Sequence, residues 1–239
     1  MVPYVGTGYG GMFDDPMMLL LIPVFLFALW AQFHVGSVFR KYDQYPSQKG
    51  ETAARVVERM LSDHGISGVQ IACIPGRLTD HYDPRTNVLN LSESVYHSGS
   101  LAALGVAAHE VGHVLQHFEM YAPLAMRQRF VPVAQVGSYA AIPLFMLGLM
   151  LSSQTFVWAG IITFAAVVLF YLITLPVEFD ASNRAITALE AGGHISYEEA
   201  RPAKKVLNAA GLTYIAAALQ AVLQLIRLIL LSGGRRRND

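Results

Sequence analysis

His109, Glu110 and His113 stand in an H-E-x-x-H pattern, His109-Glu110-Val111-Gly112-His113. On a helix, residues i and i+4 share a face, so both imidazoles can reach one zinc ion. Zinc lowers the pKa of a water it holds toward about 7. Glu110, offset by one residue, would take a proton from that water as it attacks a carbonyl, then deliver it to the leaving amine. With eight His and nine Glu in 239 residues, a shuffled chain contains the pattern roughly once in a hundred tries. The alternative is two surface histidines with an incidental glutamate. The context, LAALGVAAHEVGHVLQHF, argues against it, because it is a good helix pattern with small residues before the first histidine.

Catalytic zinc keeps three protein ligands and one open position. His117 continues the same face at i+8, but that interval covers about 12 Å of helix axis. Zinc–nitrogen distances are near 2 Å, so His117 is read as a polar flank and not as a ligand. Glu178, in LPVEFDASNRAITALEAGG, is the better candidate. It follows Pro176 by two residues, at the end of an apolar block, on a helix expected to run to Leu189 and stop near Gly192-Gly193. A plain interfacial acid is the other reading of Glu178.

The apolar residues fall in blocks that must position these groups. Charged residues are 14% of the chain and hydrophobic ones 54%, against about 25% charged in an ordinary soluble domain. The mean hydropathy is +0.40. Residues 17–33, 130–151 and 156–176 carry no charge, and 212–231 carries only Arg227. Roughly 20 apolar residues span a bilayer core, so three spans and a probable fourth are expected. Gln220, Gln224 and Arg227 leave the fourth open between a span and an interfacial helix. Lys+Arg equals Asp+Glu, so the net charge is zero and no nucleic-acid footprint exists. The single cysteine, Cys73, excludes an internal disulfide framework and a thiolate-rich zinc site.

Residues 1–16 form a Gly/Tyr-rich tail carrying Asp14 and Asp15, which reads as the flank of a retained anchor and not of a removed leader. The tail has no Lys or Arg, nor does the turn 152–155, whereas 34–129 holds nine and 177–211 holds four. The positive charges therefore predict both polar stretches on the cytoplasmic side. A spanning fourth segment would put the basic tail 232–239, with Arg235, Arg236 and Arg237, on the other side, against that rule.

Residues 34–129 read as a catalytic domain between the first two spans. An amphipathic helix is expected over 47–64, stopped by Gly65. Strands are expected at 69–74 and 86–91, and Ser98 or Ser100 should cap a helix from Leu101 to about Met120. The strand 87–91 is a plausible edge for holding an extended peptide. After 177, Ser196-Tyr197-Glu198-Glu199 has a capping-box pattern and opens a helix expected to end before Gly211. The Lys204-Lys205 pair reads as solvated charge near headgroups.

HEVGH, together with DHYDP, NVLNLSESVY, SLAALGVAA, PVEFDASNRA and KKVLNAAGLTYIAAAL, resembles the bacterial YugP-type neutral zinc metallopeptidases, from about Tyr42 to Leu223. The resemblance implies His109, His113 and Glu178 as ligands of one zinc ion per chain, with Glu110 as catalytic acid and base. It also implies a membrane gluzincin, distantly similar to the HtpX and prenyl-protein protease type. In that wider group an Asp four residues after the ligand Glu orients a zinc histidine. Here Ser182 stands at that position and Asp180 at +2, so Asp180 and then Ser182 are the candidate partners. Candidates for stabilising the oxyanion or holding substrate are His81, Tyr82, Tyr96, Arg184, His194 and Tyr197.

The expected fold is mostly α, a multi-pass membrane protein with an inserted small α+β zincin-like catalytic domain. The expected activity is peptide-bond hydrolysis of polypeptide substrates near the surface of a bacterial cell membrane. The rival readings are a non-catalytic membrane scaffold with a structural zinc, and a zinc hydrolase of another amide or a lipid. A complete H-E-x-x-H favours the enzyme, since a structural site has no use for Glu110.

Overall fold

The computed structural model describes residues 16–233. The tail before Pro16 and the terminal arginines lie outside the described residues. Among the described residues, seven helices and three strands follow in the order α1 (Pro16–Tyr42), α2 (Ala53–Asp63), β1 (Gln70–Ile74), β2 (His81–Asp83), β3 (Val88–Ser92), α3 (Glu93–Tyr96), α4 (Leu101–Phe118), α5 (Ala122–Met150), α6 (Gln154–Ala191) and α7 (Tyr197–Gly233). The chain is mostly helical, with one small sheet.

Four helices, α1, α5, α6 and α7, are long and apolar enough to cross a membrane by length and composition. They outrun their apolar blocks. α6 has 38 residues, about 57 Å at 1.5 Å per residue, nearly twice a hydrocarbon core of about 30 Å. Its apolar block ends at Pro176, and the helix continues without a break through Glu178 to Ala191. α7 is likewise continuous from Tyr197 to Gly233. It does not stop before Gly211, where the sequence suggested an end. Gly211 instead lies against the Phe179 ring of α6, where a Cβ would meet Cε1 at 3.0 Å. At the far end of α7, Leu228 packs with Phe145, Val157 and Ile161 beside the α5–α6 turn. The segment 212–231 thus runs the full depth of the bundle.

α5 and α6 approach closely through small residues. A Cβ on Gly148 or Gly160 would collide with the facing backbone at Val157 or Phe145. This close backbone approach is typical of helix pairs in lipid. Their outer faces expose Val133, Val136, Tyr139 and Ile162.

The overhanging ends of α1, α6 and α7 gather with α2, α4 and the sheet around one core. Phe39, Val57, Met60, Leu89, Leu91, Leu104, Val111, Leu189 and Val206 are buried in it. α2 is shorter than the 47–64 expected, because 46–53 is tied as a strap to the turn before α4. Ser47 N–H donates to the Gly99 carbonyl and Ala53 N–H to the Ser98 carbonyl. Ser100 caps α4, its hydroxyl accepting from Ala103 N–H at 3.1 Å. Ser196 and Glu199 form the reciprocal cap of α7.

The sheet order is β1-β3-β2, with β1 parallel and β2 antiparallel to β3. β3 is therefore central, so the strand read as an edge has both sides occupied. The outer strands are β1 and β2, and β2 is three residues whose pattern carries no alternation signal. Asp83 closes the β2–β3 turn by accepting from Arg85 N–H and the Thr86 hydroxyl. These bonds and the nearby Arg85 charge hold its carboxyl below the usual range, the backbone bond being the largest cause.

α4 packs on both α6 and α7. Its nearest approach to α6 is at Gly112, where a Cβ would fall on the Ala181 carbonyl. Backbone there cannot step aside. Gly112→Ala should cost about 1–3 kcal/mol through overpacking. Gly105 in the same helix faces Ala203 Cβ at 3.3 Å, so Gly105→Ala should cost distinctly less. Thermal unfolding of the two detergent-solubilised variants beside wild type checks the order, and an equal fall in Tm would contradict it.

Candidate active site

α4 carries His109 and His113 on the face turned toward α6, with Glu110 beside them reaching β2, and α6 carries Glu178. His109 Nε2 lies 3.2 Å and His113 Nε2 3.6 Å from Glu178 Oε2. One ligand atom from each of the three residues falls within 4.8 Å of the others. Two donors about 2.1 Å from a tetrahedral ion are roughly 3.4 Å apart, so both spacings suit a shared zinc. Burial pushes the His113 pKa down, but the Glu178 and Glu110 carboxylates outweigh it and raise the value above normal. A pocket that favours a proton despite burial also favours a metal cation. The residues present therefore fit zinc as His-His-Glu, the three donors that converge here among the described residues.

The remaining polar atoms of these side chains are engaged. Arg127 of α5 holds Glu178 Oε1 at 3.1 Å, which leaves Oε2 facing the two imidazoles. Ser182 Oγ is 3.1 Å from His109 Nδ1. His113 Nδ1 is 3.0 Å from Gln116 Oε1, and the Gln116 amide donates at 2.8 Å to both the Val177 carbonyl and Asp180 Oδ2. Each histidine is thus anchored through Nδ1 with Nε2 aimed at Glu178. Ser182 touches His109 directly, whereas Asp180 reaches His113 only through Gln116. Asp180 also accepts from Arg184 Nε at 2.5 Å.

Glu110 Oε2 accepts the Tyr82 backbone N–H at 3.0 Å, so β2 abuts the glutamate. The Tyr82 hydroxyl donates to Asn87 Oδ1 and lies 2.8 Å from His117 Nδ1. Burial, and then the Asp83 charge, push the Tyr82 phenol up to about 12. His117 is thereby a buttress of β2, apart from the three metal-facing residues.

A cleft of about 530 Å³ opens over the site and is lined by His109, Glu110, His113 and Glu178 together with His81 and Tyr82. Arg184 and His194 do not line it. Arg184 binds Asp180 and Glu119. His194 is buried against Asp63, 2.9 Å away, and joins α2 to the α6–α7 turn. Tyr96 meets the His97 ring edge-on, and Tyr197 is exposed outside the cleft. Three residues that sequence reasoning missed stand here instead: Gln116, Arg127 and Tyr214. Gln116 lies three residues past His113, one turn along the zinc helix, which was a readable signal. Arg127 and Tyr214 come from the ends of apolar blocks, where a lone polar residue reads as an interface anchor.

The family model described as "putative neutral zinc metallopeptidase" matches residues 17–233. The chain belongs to the neutral zinc metallopeptidase family. It is 43% identical over 222 residues to the "putative membrane protease YugP" of Bacillus subtilis (strain 168), covering 92% of this chain and 99% of that protein. No solved structure matches it. For a zinc-family site, losing a partner that orients a ligand typically weakens metal binding 10–100-fold. Ser182→Ala and Gln116→Ala should each lower zinc affinity by about that factor. Competition against a zinc-chelating dye measures it, and unchanged affinity in both would contradict the anchoring roles.

Proposed function

We propose that this protein is a multi-pass membrane zinc endopeptidase that cuts polypeptides at the membrane surface. The observation carrying the reading is the convergence of both Nε2 atoms on one oxygen of Glu178, with Glu110 held beside them by Tyr82 N–H. When bound, zinc would polarise the scissile carbonyl and make water acidic enough to attack at neutral pH. Glu110 takes the proton from the attacking water and carries it to the departing amine. The Tyr82 N–H bond keeps that carboxylate in one orientation through both transfers. Tyr214, on the cleft wall beside Glu178 and Glu110, is the donor placed to stabilise the developing oxyanion. An extended substrate belongs beside β2 in the cleft and not on β3, both of whose sides are paired.

Four long apolar helices and the likeness to a protein named as a membrane protease support residence in a cell membrane. The overhangs of α1, α6 and α7 share the end of the bundle where α2, the sheet and α4 gather. That arrangement supports four spans, near 17–33, 130–151, 156–176 and 212–231, beneath a catalytic unit of 34–129 and 177–211. The charge asymmetry supports the cytoplasmic face for this unit.

Glu110→Gln should retain zinc and lose cleavage of an unfolded protein by about 10²–10⁴-fold. Equal activity in wild type and Glu110→Gln would rule the mechanism out. Tyr214→Phe should lower kcat by about 10²-fold with little change in KM; a change confined to KM would assign Tyr214 to binding instead. In a Cys73→Ser background, Tyr197→Cys should react with an impermeant thiol reagent only after cells are permeabilised. Labelling of intact cells would reverse the topology.

A further inference from the structure

Below the cleft lies a second cavity of about 510 Å³, lined among others by Phe25, Ser138, Tyr171, Ala217, Gln220 and Gln224. It continues the cleft along the same helices. Phe25 is seven residues from Gln32 of the cleft on α1, and Ser138 seven from Val131 on α5. Two helical turns put it about 10 Å deeper. α1 packs on α7 and α5 on α6, while α1 and α5 make next to no contact. The trough therefore opens sideways between α1 and α5. Phe25, Ser138 and Gln220 are exposed along it.

Gln220 and Gln224 stand one turn apart on its α7 wall, at a depth where the flanking helices are apolar. Among the described residues neither side-chain amide has a hydrogen-bond partner. Amides left bare in hydrocarbon are costly, and polar side chains in spans ordinarily bond across to another helix. An acyl chain offers them nothing at that depth. A helix carrying a polar side chain does.

We propose that the trough between α1 and α5 docks a membrane-spanning helix of the substrate, one with a polar residue at mid-membrane depth. The proposal rests on the peptidase reading and names its substrate class: membrane proteins cut just beyond the end of a span. With about 10 Å between trough and cleft, and about 1.5 Å per helical residue, about seven residues of the docked helix rise from its polar residue to the level of the cleft, so the scissile bond lies just past the helix end.

The test uses full-length protein in phosphatidylcholine–phosphatidylglycerol vesicles. The probe is a synthetic Leu/Ala spanning helix with one central Asn, followed by an unstructured segment. In a Cys73→Ser, Glu110→Gln background, Ser138→Cys should form a disulfide with a cysteine placed beside the probe's Asn. Ala217→Trp, which fills the trough, should abolish that cross-link while zinc content is kept. In active protein, Gln220→Leu with Gln224→Leu should lower the ratio of helix-tethered to untethered cleavage about tenfold, the worth of one or two such hydrogen bonds. The same segment tethered by a myristoyl chain should show no such fall. Absence of the cross-link, a Ser138→Cys link between two copies of this chain, or equal effects on helix- and acyl-tethered probes would each overturn the proposal. A cross-linked probe that zinc-loaded wild type never cuts would uphold the docking and sink the peptidase reading.

Discussion

The backbones of α4 and α6 nearly touch at one point, and the candidate site is arranged around it. Gly112 lies between His109 and His113, and Ala181 between Glu178 and Ser182. Because residue 112 has no side chain, its helix can press on the Ala181 carbonyl. That approach brings Nε2 of both histidines to within 3.6 Å of one carboxylate oxygen. Any larger residue at 112 would part the helices and open these distances. The glycine inside HEVGH is thus as much a part of the geometry as the residues that hold charge.

Around this contact the polar atoms divide their tasks. Glu178 gives one oxygen to Arg127 and presents the other to the imidazoles. Each imidazole is anchored at Nδ1: the Gln116 oxygen can only accept, so His113 Nδ1 donates to it and leaves Nε2 free for metal, and the Ser182 hydroxyl holds His109 Nδ1. The sheet contributes through backbone, with Tyr82 N–H on Glu110. Helix length sets the site's place. A helix as long as α6 is long enough to cross a bilayer and still carry Glu178 and Ser182 beyond it, so one continuous helix joins an apolar block to the charged site.

Legibility in the sequence followed range. The spacing of His109 and His113 is a property of one helix and was readable directly. Glu178 was readable from its place at the end of an apolar block and from the resemblance. The pairing of Asp180 and Ser182 with particular histidines was not, because it depends on how α4 crosses α6. Sequence reasoning put Asp180 first as a direct partner; the structure places Ser182 on His109 and reaches Asp180 only through Gln116. His194 and Arg184 were candidates by residue type for the oxyanion or substrate, with packing as the other reading; His194 satisfies Asp63 and Arg184 satisfies Asp180 and Glu119, partners that short-range patterns cannot reveal. β2 was invisible because a three-residue strand has no period to detect. Its existence follows from pairing with β3.

The candidate site requires three side chains from two helices to share one ion, which X-ray absorption at the zinc edge measures directly. Purified wild-type protein should show one zinc per chain, imidazole scattering from two histidines, and oxygen ligands near 2.0 Å. Glu178→Ala should lose the metal or an oxygen from that shell, with the imidazole pattern altered. An identical spectrum and stoichiometry in Glu178→Ala, or a wild-type zinc without imidazole scattering, would contradict it.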